Sequence, residues 1–258
     1  MTVETLAAAS PVAQRRGLRA IPTRLWVTPL LLMVAVLALI AYVSAQDLDS
    51  MEQRVLGADF VVDRVIEHLQ LTVLAAAIIV AIAVPLGVAL TRPAMRWLTP
   101  VALLLANLGQ ATPALGILVL LALTLGIGFK TALIALVVSA LLPVLRNTIV
   151  GLQQVDPALV EAARGMGMSS RQILRKVEMP LAVPVILAGL RTAVVNAVGV
   201  AAVATFVNAG GLGQIIVAGV KLQRTPVLLV GGVLTAAIAL ALDWLAGLVE
   251  EFARPRGL

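Results

Sequence analysis

The stretch VDPALVEAARGMGMSSRQILRKVEMP, Val155 to Pro180, is the most charged part of an otherwise apolar chain, and it reads as two short helices. Asp156 stands where it caps the first, with Pro157 in the first turn, where a missing N–H costs nothing. Leu159, Ala162, Ala163 and Met166 then fall on one face, and Gly165 and Gly167 end the helix. Ser169 followed by Gln172 fits a capping box for the second helix, in which Ile173, Leu174 and Val177 form an apolar strip beside Arg171, Arg175 and Lys176. Pro180 closes the unit. An element with one apolar and one basic face suits a groove on a peripheral protein, and it equally suits the surface of anionic lipid. The pattern alone leaves both open.

The surroundings of this loop are set by composition. Of 258 residues, 61% are hydrophobic and 12% charged, and the mean hydropathy of +1.06 exceeds what a soluble core with a polar surface carries. Apolar runs of about 20 residues, long enough to cross roughly 30 Å of hydrocarbon, recur along the chain. They predict an all-α membrane protein with about six transmembrane helices, near 25–45, 68–90, 99–126, 131–150, 181–206 and 226–249. The run after Arg15, Arg16 and Arg19 is too long for a secretory signal and has no convincing cleavage site, so it is read as a retained first helix. Residues 1–24 and 251–258 are expected to be tails around a transmembrane domain of 25–250.

Charge sets the orientation. Arg15, Arg16, Arg19, Arg24, Arg92, Arg96, Arg164, Arg171, Arg175, Lys176, Arg254 and Arg256 lie in the segments on one side, with Arg146 and Arg191 near helix ends. Only Arg54, Arg64, Lys130, Lys221 and Arg224 lie on the other. The imbalance puts both termini and the 155–180 loop in the cytoplasm. A net charge of +6 does not signal nucleic acid, because the basic residues sit at the ends of apolar runs and aromatics are only 3% of the chain. Zero cysteines exclude disulfides, thiol nucleophiles and Cys-bearing zinc sites. Asp47, Asp49, Glu52, Asp59, Asp63 and Glu67 crowd the first external segment, read as a solvated loop or a contact for an external partner. His68 has no partner at metal-ligand spacing and is read as an interfacial residue at a helix start. "GFKT" at Gly128 to Thr131 fails the phosphate-loop spacing, so no ATP site is expected on this chain.

The spacing Glu161-Ala162-Ala163, Gly167, Val177, Met179 and Pro180 resembles the EAA motif of binding-protein-dependent ABC importer permeases, with Val177 and Met179 in place of Ile and Leu. The resemblance extends over roughly residues 65–250, through "GQATPALGILVL", "GIGFKTALIALVVSALLPVLRNTIVGL", "PLAVPVILAGLRTA" and "NAGGLGQIIVAGV". It is strongest to the osmoprotectant branch, which imports glycine betaine, choline, carnitine and related quaternary amines. Where those relatives carry Tyr after "RNT" and a Thr-rich "GTATLAA", this chain has Ile149 and "GVAAVAT".

The resemblance implies a type I importer fold in the bacterial inner membrane and a coupling helix seated in an ABC ATPase subunit. Glu161, Ala162, Ala163, Arg164, Gly165, Gly167, Arg171 and Pro180 are then the coupling residues. Glu161 would make polar contact or brace the loop, Ala162 and Ala163 would allow close approach, and Gly167 would make the turn. It further implies a second permease subunit, an extracytoplasmic binding protein, and ATP with Mg on the ATPase and no cofactor on this chain. Eight scattered aromatics cannot build a cage for a quaternary ammonium ion. Recognition is therefore expected on the binding protein, with Asn107, Gln110, Thr112, Asn196, Thr205 and Asn208 as candidates for lining a weakly specific path or for packing helices by hydrogen bonds. Asp243, inside the last apolar run, admits a cross-helix pair, an interfacial anchor or a proton relay, the last being the mark of an ion-coupled carrier.

Overall fold

The computed structural model describes residues 24–253. The expected tail 1–24 and the basic residues Arg15, Arg16, Arg19, Arg254 and Arg256 lie outside them or at their edge. Helices α1 (Arg24–Ser44), α2 (Ser50–Val55), α3 (Ala58–Thr91), α4 (Thr99–Ala111), α5 (Ala114–Leu125) and α6 (Phe129–Gln153) form the first half. The second half comprises α7 (Pro157–Gly165), α8 (Ser170–Ile173), a π turn (Leu174–Glu178), α9 (Met179–Val203), α10 (Gly213–Leu222) and α11 (Thr225–Ala253). Among the described residues five helices are long and apolar enough to span a membrane, and α4 with its 3-10 lead-in and α5 pass the same test together as a pair bent by 98°, which makes up to six spans.

The centre is α6 packed between α3 and α9. In lipid no hydrophobic force distinguishes one helix from the next, so close approach and dispersion decide the pairing. The sequence supplies small side chains for it: Ala75 and Ala83 on α3, Ala132, Ala135 and Ala140 on α6, and Ala193, Ala197 and Ala201 on α9 are all buried. Gly189 takes this furthest, since a Cβ there would lie 2.6 Å from the Pro143 carbonyl oxygen and 2.7 Å from Asn147 Cβ. Asn147 Nδ2 donates to the Val185 carbonyl across the same contact at 3.1 Å. Helix α1, by contrast, packs along α11 and leaves Trp26, Leu30, Leu31 and Met33 on the outside.

Several expectations change at the end of the bundle opposite the 155–180 loop. Helix α3 begins ten residues before the apolar run and, at 34 residues and about 1.5 Å each, is about 51 Å long, so its first turns extend past the hydrocarbon. Those turns carry Asp59 and Asp63 outward, while Phe60, Val61 and Val65 pack on Leu212, Ile215 and Val227. The acidic segment is thus mostly helical rather than a solvated loop. Asp49 Oδ1 caps α2, accepting from the N–H groups of Glu52 and Met51 at 2.8 and 2.9 Å. The first of these bonds, against the opposing effect of desolvation and with help from Arg224, holds the Asp49 carboxyl below the usual carboxylate range. Arg224 Nη2 meets Asp49 Oδ2 at 2.6 Å.

His68 is correspondingly not at a helix start. It lies inside α3, fully buried, with the Val198 carbonyl alongside its ring but neither ring nitrogen in hydrogen-bond geometry. Helices α2 and α10 were not foreseen. Both are shorter than a span and take their stability from packing on α3 and α11, which no single-segment pattern reveals.

Substituting Gly189→Ala is expected to cost about 1–3 kcal/mol by overpacking. Gly199→Ala, where a Cβ meets nothing within 4 Å, should leave stability unchanged or raise it. Thermal unfolding of the two purified variants side by side checks the pair.

Candidate functional site

Two regions gather the residues singled out in the sequence: the 155–180 loop and the broken fourth and fifth helices. In the loop, Asp156 Oδ1 accepts from the Ala158 N–H at 2.8 Å and opens α7, with Pro157 in its first turn. The helix closes in a Schellman motif. Met168 N–H reaches back to the Ala163 carbonyl at 3.1 Å and Gly167 N–H to that of Arg164 at 2.9 Å. Gly167 has φ +79°, a conformation that an L side chain enters only with strain, and this explains the glycine. Gly165, assigned to ending the helix, is its last residue and has no such requirement.

The face expected on α7 divides. Ala163 turns inward and is buried, while Leu159 (47% exposed), Ala162 and Met166 (71% exposed) stand uncovered. Glu161 and Arg164 are also exposed, and among the described residues no ion pair joins them. In the second helix Ser169 N–H donates to Gln172 Oε1 at 2.8 Å, Ile173 is buried, and Arg171, Arg175 and Lys176 point outward.

Pro180 does not close the unit. Helix α8 passes through the π turn into α9 without a break, giving one helical rod over Ser170–Val207. The physical reason is local. In an α-helix the proline ring would clash with the Lys176 carbonyl. The widened turn, with Met179 N–H bonded to the Leu174 carbonyl, moves that carbonyl aside.

The polar candidates fall in three places. Asn107, Gln110 and Thr112 are exposed at the α4–α5 break, where Thr112 Oγ1 donates to the Leu108 carbonyl at 2.7 Å. Asn196 Nδ2 donates to the Ser139 carbonyl at 3.2 Å and so ties α9 to α6, a packing bond. Thr205 sits in a 3-10 turn after α9 that α5 packs against, and Asn208 follows it at φ 57°. Asparagine tolerates that left-handed conformation better than most residues. Among the described residues no three His, Asp or Glu side chains converge to hold a metal ion.

Asp243 has a cross-helix partner. Arg191 on α9 grips it with two parallel bonds, Nε to Oδ1 and Nη2 to Oδ2, both 2.9 Å, and Nη1 reaches Glu250 at 3.2 Å. Spacing in sequence hides the pair, because Arg191 lies on another helix, and at the middle of α9 rather than near a helix end. At the far end, Glu67 accepts from Gly211 N–H at 2.7 Å and pairs with Arg64 at 2.9 Å, and Arg64 also donates to Gln214 Oε1 at 2.7 Å. This cluster pins the "NAGGLGQ" turn to α3.

Arg191→Met removes the cation that grips Asp243 and is expected to cost about 2 kcal/mol, less than a fully buried pair because the groups are partly exposed. Asp243→Asn should cost less, since Glu250 keeps Arg191 engaged. Thermal unfolding compares the two. Gly167→Val should lower the exchange protection of the Gly167 and Met168 amides by about 5–30-fold, the equivalent of one or two kcal/mol, in a hydrogen-exchange measurement.

The comparisons with known proteins agree with this arrangement. The family described as the binding-protein-dependent transport system inner membrane component matches residues 83–255. The carnitine transport permease protein OpuCD of Listeria monocytogenes is 46% identical over 175 residues, 67% of this chain and 78% of that protein. The glycine betaine/carnitine/choline transport system permease protein OpuCD of Bacillus subtilis is 38% identical over 197 residues, 76% of this chain and 85% of that one. The osmoprotectant import permease protein OsmW of Salmonella typhimurium is 35% identical over 216 residues, 82% and 100% of the two chains. Among solved structures, an inward-facing MetNI methionine ABC transporter chain superposes with TM-score 0.66 at 26% identity, covering 76% of this chain and 96% of that one. An amino acid ABC transporter with histidines, at TM-score 0.65 and 22% identity, shares the fold. With its broken span, its α3–α6–α9 core and the EAA spacing on α7, the chain belongs to the binding-protein-dependent transport system inner membrane components, the permeases of ABC transporters.

Proposed function

We propose that this permease carries a quaternary-amine osmoprotectant, of the glycine betaine, carnitine or choline kind, into the cytoplasm when α7 is moved by an ABC ATPase. The observation that carries the coupling half of this reading is the uncovered face of α7. Leu159, Ala162 and Met166 stand out from the bundle on a capped, rigid helix, as a surface awaiting a partner does. Glu161 and Arg164 flank it with opposite charges for polar contacts at its rim. Gly167 and Arg171 belong to the same seat, the first by making the turn and the second by its exposed charge. ATP and Mg belong to the ATPase.

The solute is inferred from the names of the relatives, three of which carry carnitine, glycine betaine, choline or osmoprotectants in their descriptions. Selection then falls to an extracytoplasmic binding protein. The positive-inside imbalance supports cytoplasmic termini and a cytoplasmic α7. A second permease subunit is supported by the α4–α5 break, because Asn107, Gln110 and Thr112 are exposed beside irregular backbone at membrane depth. Such backbone is stable only against protein or water, and a second copy or a similar chain across it would supply a wetted path. The bidentate grip of Arg191 on Asp243 argues against a free carboxylate that relays protons.

The test uses the complex of this chain with its ATPase, binding protein and any second permease in proteoliposomes. Ala162→Trp is expected to weaken ATPase association and to lower solute uptake by about tenfold or more, the effect of losing 1.4 kcal/mol or more at a docking face. Uptake of labelled glycine betaine, carnitine or choline should stop with a non-hydrolysable ATP analogue. Full coupling by the Ala162→Trp complex, or uptake that persists without hydrolysis, contradicts the reading.

A further inference from the structure

The docking element joins the transmembrane bundle at two places, through residues 154–156 after α6 and, beyond α8, through one irregular turn. Beyond α8 the chain winds through the π turn Leu174–Glu178 and continues as α9, so a 38-residue rod leads from the loop to the far end of the bundle. A π turn carries wider, weaker i→i+5 bonds than the α-helix on either side, and it is where a helix most readily bends or changes length. Left unsupported, it would absorb a push on α7.

Support comes from outside the rod. Arg92 is the residue that follows α3, and its Nη2 meets Glu178 Oε2, at the last position of the π turn, at 2.6 Å. Arg92 Nε also reaches back to the Val88 carbonyl at 3.4 Å, which ties the guanidinium to its own helix. The Glu178 side chain is only 14% exposed, so the pair is held in a partly desolvated setting, where it is stronger than a pair in open water. A crevice of about 300 Å³, lined by Gly151, Val155, Leu159, Leu181 and Val185 among others, separates the root of α7 from the start of α9.

We propose that Arg92 and Glu178 are positioning residues for energy coupling. Their ion pair locks the π turn against the end of α3, so that a displacement of α7 reaches α3 and α9 together instead of being lost in bending of the turn. Because α3 and α9 both pack on α6, a locked turn moves two walls of the core at once. The inference rests on α7 being the seat of the ATPase.

The experiment measures ATP hydrolysed per solute imported by the reconstituted complex with Glu178→Gln, Arg92→Gln and the exchanged pair R92E/E178R. The single variants are expected to raise that ratio about fivefold or more, the lower end of a coupling free energy. The exchanged pair, which keeps both charges, should return it toward the parental value. A merely structural contact would lower hydrolysis and uptake in proportion and leave the ratio constant, which overturns the proposal. An exchanged pair that remains uncoupled overturns it too, and because that variant keeps the charges it reads the pair even where a neutral variant fails to assemble. Ala162→Trp separates the two levels. If it keeps full coupling, the docking reading falls. If it uncouples while the Arg92 and Glu178 variants do not, only the strut falls.

Discussion

The close approach of α3, α6 and α9 through alanine and glycine is the contact on which the other elements depend. Ala75 and Ala83 on α3, Ala135 and Ala140 on α6, and Ala193 and Ala197 on α9 are all buried in one core. In hydrocarbon this packing must come from shape rather than from expulsion of water, so small residues matter more than large apolar ones. Threonines at the same contacts keep their hydroxyls satisfied within the helix, as Thr148 does on the Val144 carbonyl at 2.7 Å. A rigid three-helix wall results. The broken span, the loop and α10 are attached to it.

Ion pairs tie further elements together. Arg92–Glu178 fixes the root of the loop, Arg191 with Asp243 and Glu250 joins α9 to α11, and Arg224 with Asp49 joins α2 to the start of α11. Each pair links elements distant in sequence, and each is only partly exposed, so it keeps part of its desolvation cost. The permease is thus closely packed through small side chains in its core and cross-linked between helices by ion pairs. On the proposed reading, a movement of α7 would enter this body at the 155–180 loop and pass to α6 and α9, which flank it in the chain.

Much of this was legible in the sequence, for reasons that lie in particular residues. The six spans follow from apolar length. The α7 cap, the Gly167 turn and the buried Ile173 follow from spacing and local geometry. The missed features depend on partners. The first turns of α3 looked like a loop because Asp59 and Asp63 are polar, yet at helical spacing they leave Val61 and Val65 free to pack on α10 and α11. Pro180 looked like a stop because only the neighbouring π turn makes it tolerable. His68 looked interfacial because its burial is imposed by Gly211, far along the chain, whose missing Cβ would sit 3.1 Å from the His68 ring nitrogen.

The central claim is that the uncovered face of α7 is the seat of the ATPase on the cytoplasmic side. The chain has no cysteine, so a single Met166→Cys on that face gives one reporter with no background. Its rate of reaction with a membrane-impermeant thiol reagent is to be measured in inside-out vesicles, with the ATPase subunits bound and after they are stripped. The account predicts fast labelling in stripped vesicles and strong protection when the ATPase is bound. Equal labelling in the two preparations would contradict it.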